Sequence, residues 1–168
     1  MVKLFKIFLL LIWSINAGAQ GDSLPCDTEN NNAFDFFVGE WRVTDPAGKH
    51  AGDSVIDKIQ DGCVIRENWR SAQSKYTGTS YNFYNRDAGQ WEQIWLDNQG
   101  GRLHLKGQKK ENQMILVSDE RPNKEGLPTF NRITWTDNAD GSVRQYWEVV
   151  SQGKPVTVAF DGLYKAAM

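Results

Sequence analysis

The sequence predicts an all-β protein, a closed antiparallel up-and-down β-barrel of about ten strands. Three observations predict it. From Phe34 onward, short runs rich in β-branched and aromatic residues alternate with turn signals about every dozen residues. No segment of convincing length carries a helical period. A hydrophobic stretch, Phe34-Asp35-Phe36-Phe37-Val38-Gly39-Glu40-Trp41-Arg42-Val43, opens the series with a Gly-x-Trp step. Consecutive antiparallel strands joined by short turns form a meander. A meander this long tends to close, because closure removes exposed edges.

The chain starts with a targeting segment. Lys3 and Lys6 make a positive start, Ile7 to Ile15 is an apolar run too short to span a bilayer, and Ala17-Gly18-Ala19 suits signal peptidase. Residues 1–19 are therefore expected to be a signal peptide, and the product to be periplasmic or secreted, with no membrane span after cleavage. A lipoprotein signal does not fit, since Cys26 follows Pro25. Residues 20–33 form a polar tail in which Glu29-Asn30-Asn31-Asn32 reads as loop. The barrel domain occupies 34–166.

Strands are expected near 36–44, 52–60, 63–71, 75–84, 90–97, 102–109, 112–118, 128–136, 142–150 and 155–165. Asp45-Pro46-Ala47-Gly48 fits a type I turn, with proline pre-setting φ at the second position. Asp61-Gly62 signals a two-residue hairpin in which both residues need φ > 0. Asn98-Gln99-Gly100-Gly101, Asp140-Gly141 and, more weakly, Lys110-Glu111-Asn112 close later hairpins. Residues 119–128 form the one long loop.

Composition narrows the function. The formal charge is −2, and loss of Lys3 and Lys6 on cleavage makes it more acidic. That balance argues against a nucleic-acid partner. In an oxidising compartment Cys26 and Cys63 are expected to form one disulfide rather than two free thiols. No Cys, His and carboxylate cluster has metal-ligand spacing, so no metal and no cofactor is expected. Gly21-Asp22-Ser23-Leu24 matches the opening of an esterase motif. Its preceding strand is missing, and the two histidines, His50 and His104, are not placed near the C-terminus to serve it. No catalytic residue is assigned.

The Asp61-Gly62 turn fixes a register, pairing Ile56 with Glu67 and Asp57 with Arg66. Ser54, Ile56, Ile65, Glu67 and Trp69 then share one face, and Val55, Asp57, Ile59, Val64, Arg66 and Asn68 the other. The Asp57–Arg66 cross-strand pair marks the solvent side, which puts Glu67 and Trp69 inside. Alternation places Trp91, Gln93, Trp95 and Asp97 together, and Val143, Gln145, Trp147 and Val149 together. For strand 128–136 two faces remain open: Phe130, Arg132 and Thr134, or Asn131, Ile133 and Trp135. Trp41 reads as structural, a plug at a barrel end.

Glu67/Trp69, Gln93/Trp95 and Gln145/Trp147 thus set an indole beside a polar group three times on inner walls. Polar groups repeated along an inner wall are poor filler, since each needs a buried partner. The expected site is a cavity for a small, partly apolar ligand, lined by Glu67, Trp69, Gln93, Trp95, Gln145 and Trp147, with Arg132 as a further candidate. Two other readings stand beside it. One is an enzyme with Glu67 or Asp97 as acid or base. The other is a protein-binding module using the barrel rim and loop 119–128.

Five segments carry a family resemblance: Phe34 to Trp41, Gly62-Cys63-Val64-Ile65-Arg66-Glu67-Asn68-Trp69, Trp91-Glu92-Gln93-Ile94-Trp95-Leu96-Asp97, Asp140 to Glu148, and Phe160-Asp161-Gly162-Leu163-Tyr164. With these the chain resembles a calycin-like family of uncharacterised secreted bacterial domains. The resemblance implies a barrel and assigns no activity. Nitrobindin-like haem barrels are more distant in pattern. Their Gly-rich extension after Gly-x-Trp is replaced here by Arg42-Val43-Thr44.

Overall fold

The computed structural model describes residues 25–167. The expected signal peptide, the first residues of the polar tail and Ser23 lie outside them. Eleven strands follow one another: β1 (Gly39–Thr44), β2 (His50–Ile59), β3 (Val64–Ser71), β4 (Thr77–Asn85), β5 (Gln90–Asp97), β6 (Arg102–Lys110), β7 (Gln113–Ser118), β8 (Arg121–Pro122), β9 (Pro128–Asp137), β10 (Val143–Ser151) and β11 (Thr157–Ala166). β8 is a two-residue edge on β9. The other ten close an antiparallel barrel, because β11 pairs with β1 and β7 passes its partner role to β9.

The expected strands are there with shifted ends. Two departures are informative. Residues 36 and 37, expected at the head of the first strand, belong to a 3₁₀ turn (Asp35–Phe37), and β1 starts only at Gly39. Asn30 and its neighbours, expected as loop, form a one-turn helix α1 (Glu29–Asn32). Thr28 caps it by accepting from the Asn31 N–H. Together these pieces fold across one end of the barrel instead of extending its wall.

The turn chemistry holds in detail. Gly48 N–H donates to Asp45 O at 2.9 Å, closing the Asp45-Pro46-Ala47-Gly48 turn. Asp61 and Gly62 have φ of 54° and 85°, and Cys63 N–H donates to Gln60 O at 3.0 Å. Ile56 faces Glu67 and Asp57 faces Arg66, the register that this turn sets. Arg66 grips Asp57 on the outside through two hydrogen bonds.

The barrel has two unlike halves. At the end closed by residues 26–38, Phe34, Phe37, Trp91, Trp135, Met114 and Leu116 make a buried core. Phe34 stacks on Phe37 at 5.1 Å and meets Trp91 and Trp135 edge-on. Trp41 is structural as expected, its indole N–H donating to Phe37 O at 2.9 Å. The Cys26–Cys63 disulfide, 37 residues apart in sequence, ties this plug to the β2–β3 turn. Trp91 Nε1 donating to Asn30 O and Lys58 reaching Asp35 add polar fasteners. The other half of the barrel is hollow.

Candidate functional site

A cavity of about 750 Å³ occupies the unplugged half. The β1–β2 and β3–β4 loops border its mouth, and its floor rests on the plug core. Volumes of this size suit a drug-sized organic molecule.

Glycines make the room. A Cβ on Gly78 would stand 2.1 Å from the Trp95 ring, and one on Gly52 would stand 2.5 Å from the Trp69 ring. Phe160 lies over Gly162 in the same way. Each ring therefore lies along its wall over a bare backbone instead of projecting to the barrel axis. Trp69 also meets Phe160 edge-on at 5.8 Å. Trp147, on β10, donates its indole N–H to Asn131 on β9 at 2.8 Å, which fixes its ring.

The polar floor is a directed chain of hydrogen bonds. Asn82 Nδ2 donates to the backbone carbonyl of Ile65 at 3.1 Å. A backbone carbonyl only accepts, so this bond fixes the Asn82 amide. Asn82 Nδ2 then also donates to Ser80 Oγ, and Asn82 Oδ1 accepts from Gln93 Nε2 at 2.7 Å. Ser80, already an acceptor, donates its own hydrogen to Glu67 Oε2 at 3.0 Å. Ser54 donates to Glu67 Oε1 at 2.9 Å. On the facing wall the Tyr164 hydroxyl donates to Gln145 Oε1.

Glu67 is 4 % exposed and has no basic partner among the described ion pairs. Burial pushes its carboxyl above the ordinary carboxylate value, and the Ser54 and Ser80 hydroxyls offset part of that. Burial and the nearby Glu67 carboxylate push the Tyr164 phenol well above its usual value. Tyr164 therefore remains a neutral donor.

Six of the seven expected ligand-facing residues line this one cavity: Glu67, Trp69, Gln93, Trp95, Gln145 and Trp147. Arg132 does not. It stands on the outer face of β9, opposite Glu148 on β10, and makes two hydrogen bonds to that carboxylate. The inner face of β9 carries Asn131, Ile133 and Trp135, the alternative that the alternation left open. Trp135 is fully buried and Ile133 nearly so. The reason is packing: an indole fills the plugged half, whereas a guanidinium there would need a buried counter-charge.

Asp97 also serves another purpose. Its carboxylate accepts from the Gly101 and Gln99 N–H groups at 2.8 and 2.9 Å and from the Tyr76 hydroxyl at 3.0 Å. The Gly101 and Gln99 bonds hold it below its ordinary value. It shapes the β5–β6 turn. His50 pairs with Asp53 at the mouth, and His104 pairs with Glu92 outside the barrel.

No family model and no curated protein matches this chain. Its chemistry rests on its own residues. Among the described residues no group of three or more His, Cys, Asp or Glu could hold a metal ion, and no helix is long and apolar enough to cross a membrane.

The sequence reading missed Ser80, Asn82, Phe160 and Tyr164. Tyr81 and Phe83 alternate with Ser80 and Asn82 on β4, and the bulkier pair suggests the wrong inner face. The irregular 72–76 loop sets no register to correct that. For β11 a signal existed: Phe160, Gly162 and Tyr164 share a period of two, with a glycine between two aromatics.

Proposed function

We propose that this chain is an exported binding protein that takes a small, partly apolar molecule into the open half of its barrel. One observation carries the reading. Trp69, Trp95 and Trp147 line the same cavity as Glu67, Gln93 and Gln145, at its floor and walls. A β-barrel with buried aromatic residues is compatible with ligand binding. Flat apolar walls with a few fixed polar groups are the usual make-up of a small-molecule site. The disulfide and the signal-peptide pattern of residues 1–19 support export. The resemblance to calycin-like secreted domains agrees with this reading and names no ligand.

The test is native against denaturing mass spectrometry on protein purified from its own compartment. The expected result is a discrete extra mass that denaturation removes, on a chain that begins after Ala19. No retained mass, with no change in tryptophan emission across a broad panel of small molecules, overturns it.

A second reading has one observation of its own. Glu67 is a buried carboxyl held above its ordinary value and facing a cavity, the profile of a general acid. Glu67→Gln separates the two: it abolishes turnover in an enzyme and only weakens binding in a carrier.

A further inference from the structure

The hydrogens of Asn82, Ser54, Ser80 and Tyr164 on the cavity floor already have destinations. Ile65 O orients Asn82, Asn82 orients Gln93, and the chain runs on through Ser80 to Glu67. Gln93 thereby turns its amide nitrogen into the wall. Its Oε1 receives no hydrogen bond from the described residues and belongs to a residue lining the void. As a carboxylate, Glu67 accepts one hydroxyl hydrogen on each oxygen, and each oxygen has room for another. The Tyr164 hydrogen goes to Gln145, which leaves the Tyr164 oxygen as an acceptor. The floor around Glu67 is thus rich in acceptors, one of them a carboxyl with no basic partner among the described ion pairs, while the Gln145 amide nitrogen stays a donor on the wall. Around it stand the faces and edges of Trp69, Phe160 and Trp147. A group with several N–H donors and a positive charge complements the Glu67 and Gln93 acceptors and the ring faces at once.

We propose that the cavity ligand is a small organic amine, bound as its ammonium on Glu67, with its apolar body against the indole walls. The inference rests on the binding reading of the cavity and adds the ligand's chemical class. The ammonium supplies the counter-charge that the folded chain lacks, and the surrounding rings add cation–π attraction. A carboxylate ligand fits only while Glu67 keeps its proton and meets a like charge once Glu67 ionises. A neutral alcohol would satisfy one acceptor only.

Binding should be linked to protons. In the free protein burial favours neutral Glu67, and the ammonium favours its carboxylate. Amine binding therefore releases a proton at pH values below the raised Glu67 value, and affinity for the amine rises with pH through that range. The other titratable groups bordering the cavity are Tyr164, Tyr76 and Tyr146, with Asp45, Lys49 and His50 at the mouth. Arg144 and Asp161 also border it and neutralise each other through two hydrogen bonds. Tyr164 and Tyr76 are pushed above their ordinary values, so they keep their protons throughout.

Three matched probes test this by isothermal titration calorimetry: 2-phenylethylamine, 2-phenylethanol and phenylacetate. The amine is expected to bind on the order of tenfold more tightly than the alcohol, the worth of one charge-assisted hydrogen bond. The acid should bind more weakly than either. Repeating the amine titration in buffers of different ionisation heat should show proton release below the raised Glu67 value, fading as pH passes above it. Glu67→Gln should remove both the amine preference and the proton release. Should that variant fail to fold, proton release by the wild-type protein decides. Alcohol or acid binding as tightly as the amine, or amine binding without proton release, overturns the amine inference and leaves the container standing. Silence from all three probes, on a protein that also retains no native mass, removes both.

Discussion

Glu67 concentrates the chemistry of the molecule in one side chain. It is fully enclosed, held by two serine hydroxyls, and raised by burial. In the unfolded chain it titrates at the ordinary carboxylate value. Below that value both states are protonated, and the neutral group's contribution to stability is complete. As pH rises toward the folded-state value the unfolded chain loses its proton first, so stability falls. It levels off above the folded value. The loss is about 1.4 kcal/mol for each pH unit of the window. Glu67→Gln cannot titrate and should flatten this slope, so that its urea midpoint overtakes that of the wild type toward neutral pH. Midpoints of both proteins from about pH 4 to 8 check this; parallel curves would refute it. Arg132 shows the opposite case. It is half-exposed and paired with Glu148 outside the barrel, so Arg132→Ala should change stability by no more than about 1 kcal/mol and leave ligand binding unchanged.

Strands β2, β4 and β11 each place a glycine beneath an aromatic ring, and this device opens the lumen. Gly78→Ala would set a methyl inside the Trp95 ring. The backbone there tolerates alanine, so the ring must swing toward the axis. The expected cost is about 1–3 kcal/mol, with a smaller cavity and a changed tryptophan emission spectrum. An unchanged spectrum and Tm would show that the ring does not rest on Gly78. The N-terminal plug is the second element with a measurable role. Its disulfide closes a long loop over a 37-residue separation, so Cys26→Ser with Cys63→Ser should lose about 3–4 kcal/mol in urea unfolding. The one-turn α1 is too short to persist alone and relies on this tie and on the Thr28 cap.

At the scale of the whole barrel, stability and binding are divided between its ends. Phe34 is fully buried in the plugged half, and Phe34→Ala should cost about 3–5 kcal/mol. Trp147 is half-buried on the cavity wall with one hydrogen bond to Asn131. Trp147→Ala should cost only about 1–2 kcal/mol, yet sharply weaken capture of an aromatic probe. Thermal unfolding and probe titration of both variants would reveal this division. Equal losses of stability would contradict it.

The sequence by itself determined the barrel, most strand positions, the β2–β3 register and six of the cavity-lining residues. Those features follow from period-two alternation and from turns whose φ values only certain residues accept. Asp61-Gly62 fixes which residues of its two strands face inward without reference to anything distant. Three matters only the tertiary structure decided. The segment before β1 folds into a plug, because Phe34 and Phe37 find partners in Trp91, Trp135 and Tyr164 on remote strands. Arg132 faces outward because the Asn138–Ser142 turn pairs it with Glu148 across β9 and β10, while Ile133 and Trp135 fill the inner layer. The floor's hydrogen-bond direction depends on Ile65 O, Asn82 and Gln93 meeting across three strands. Local pattern encodes which face a residue takes. It does not encode which side chains from separate strands share a layer, and that layering makes one half of this barrel core and the other half cavity.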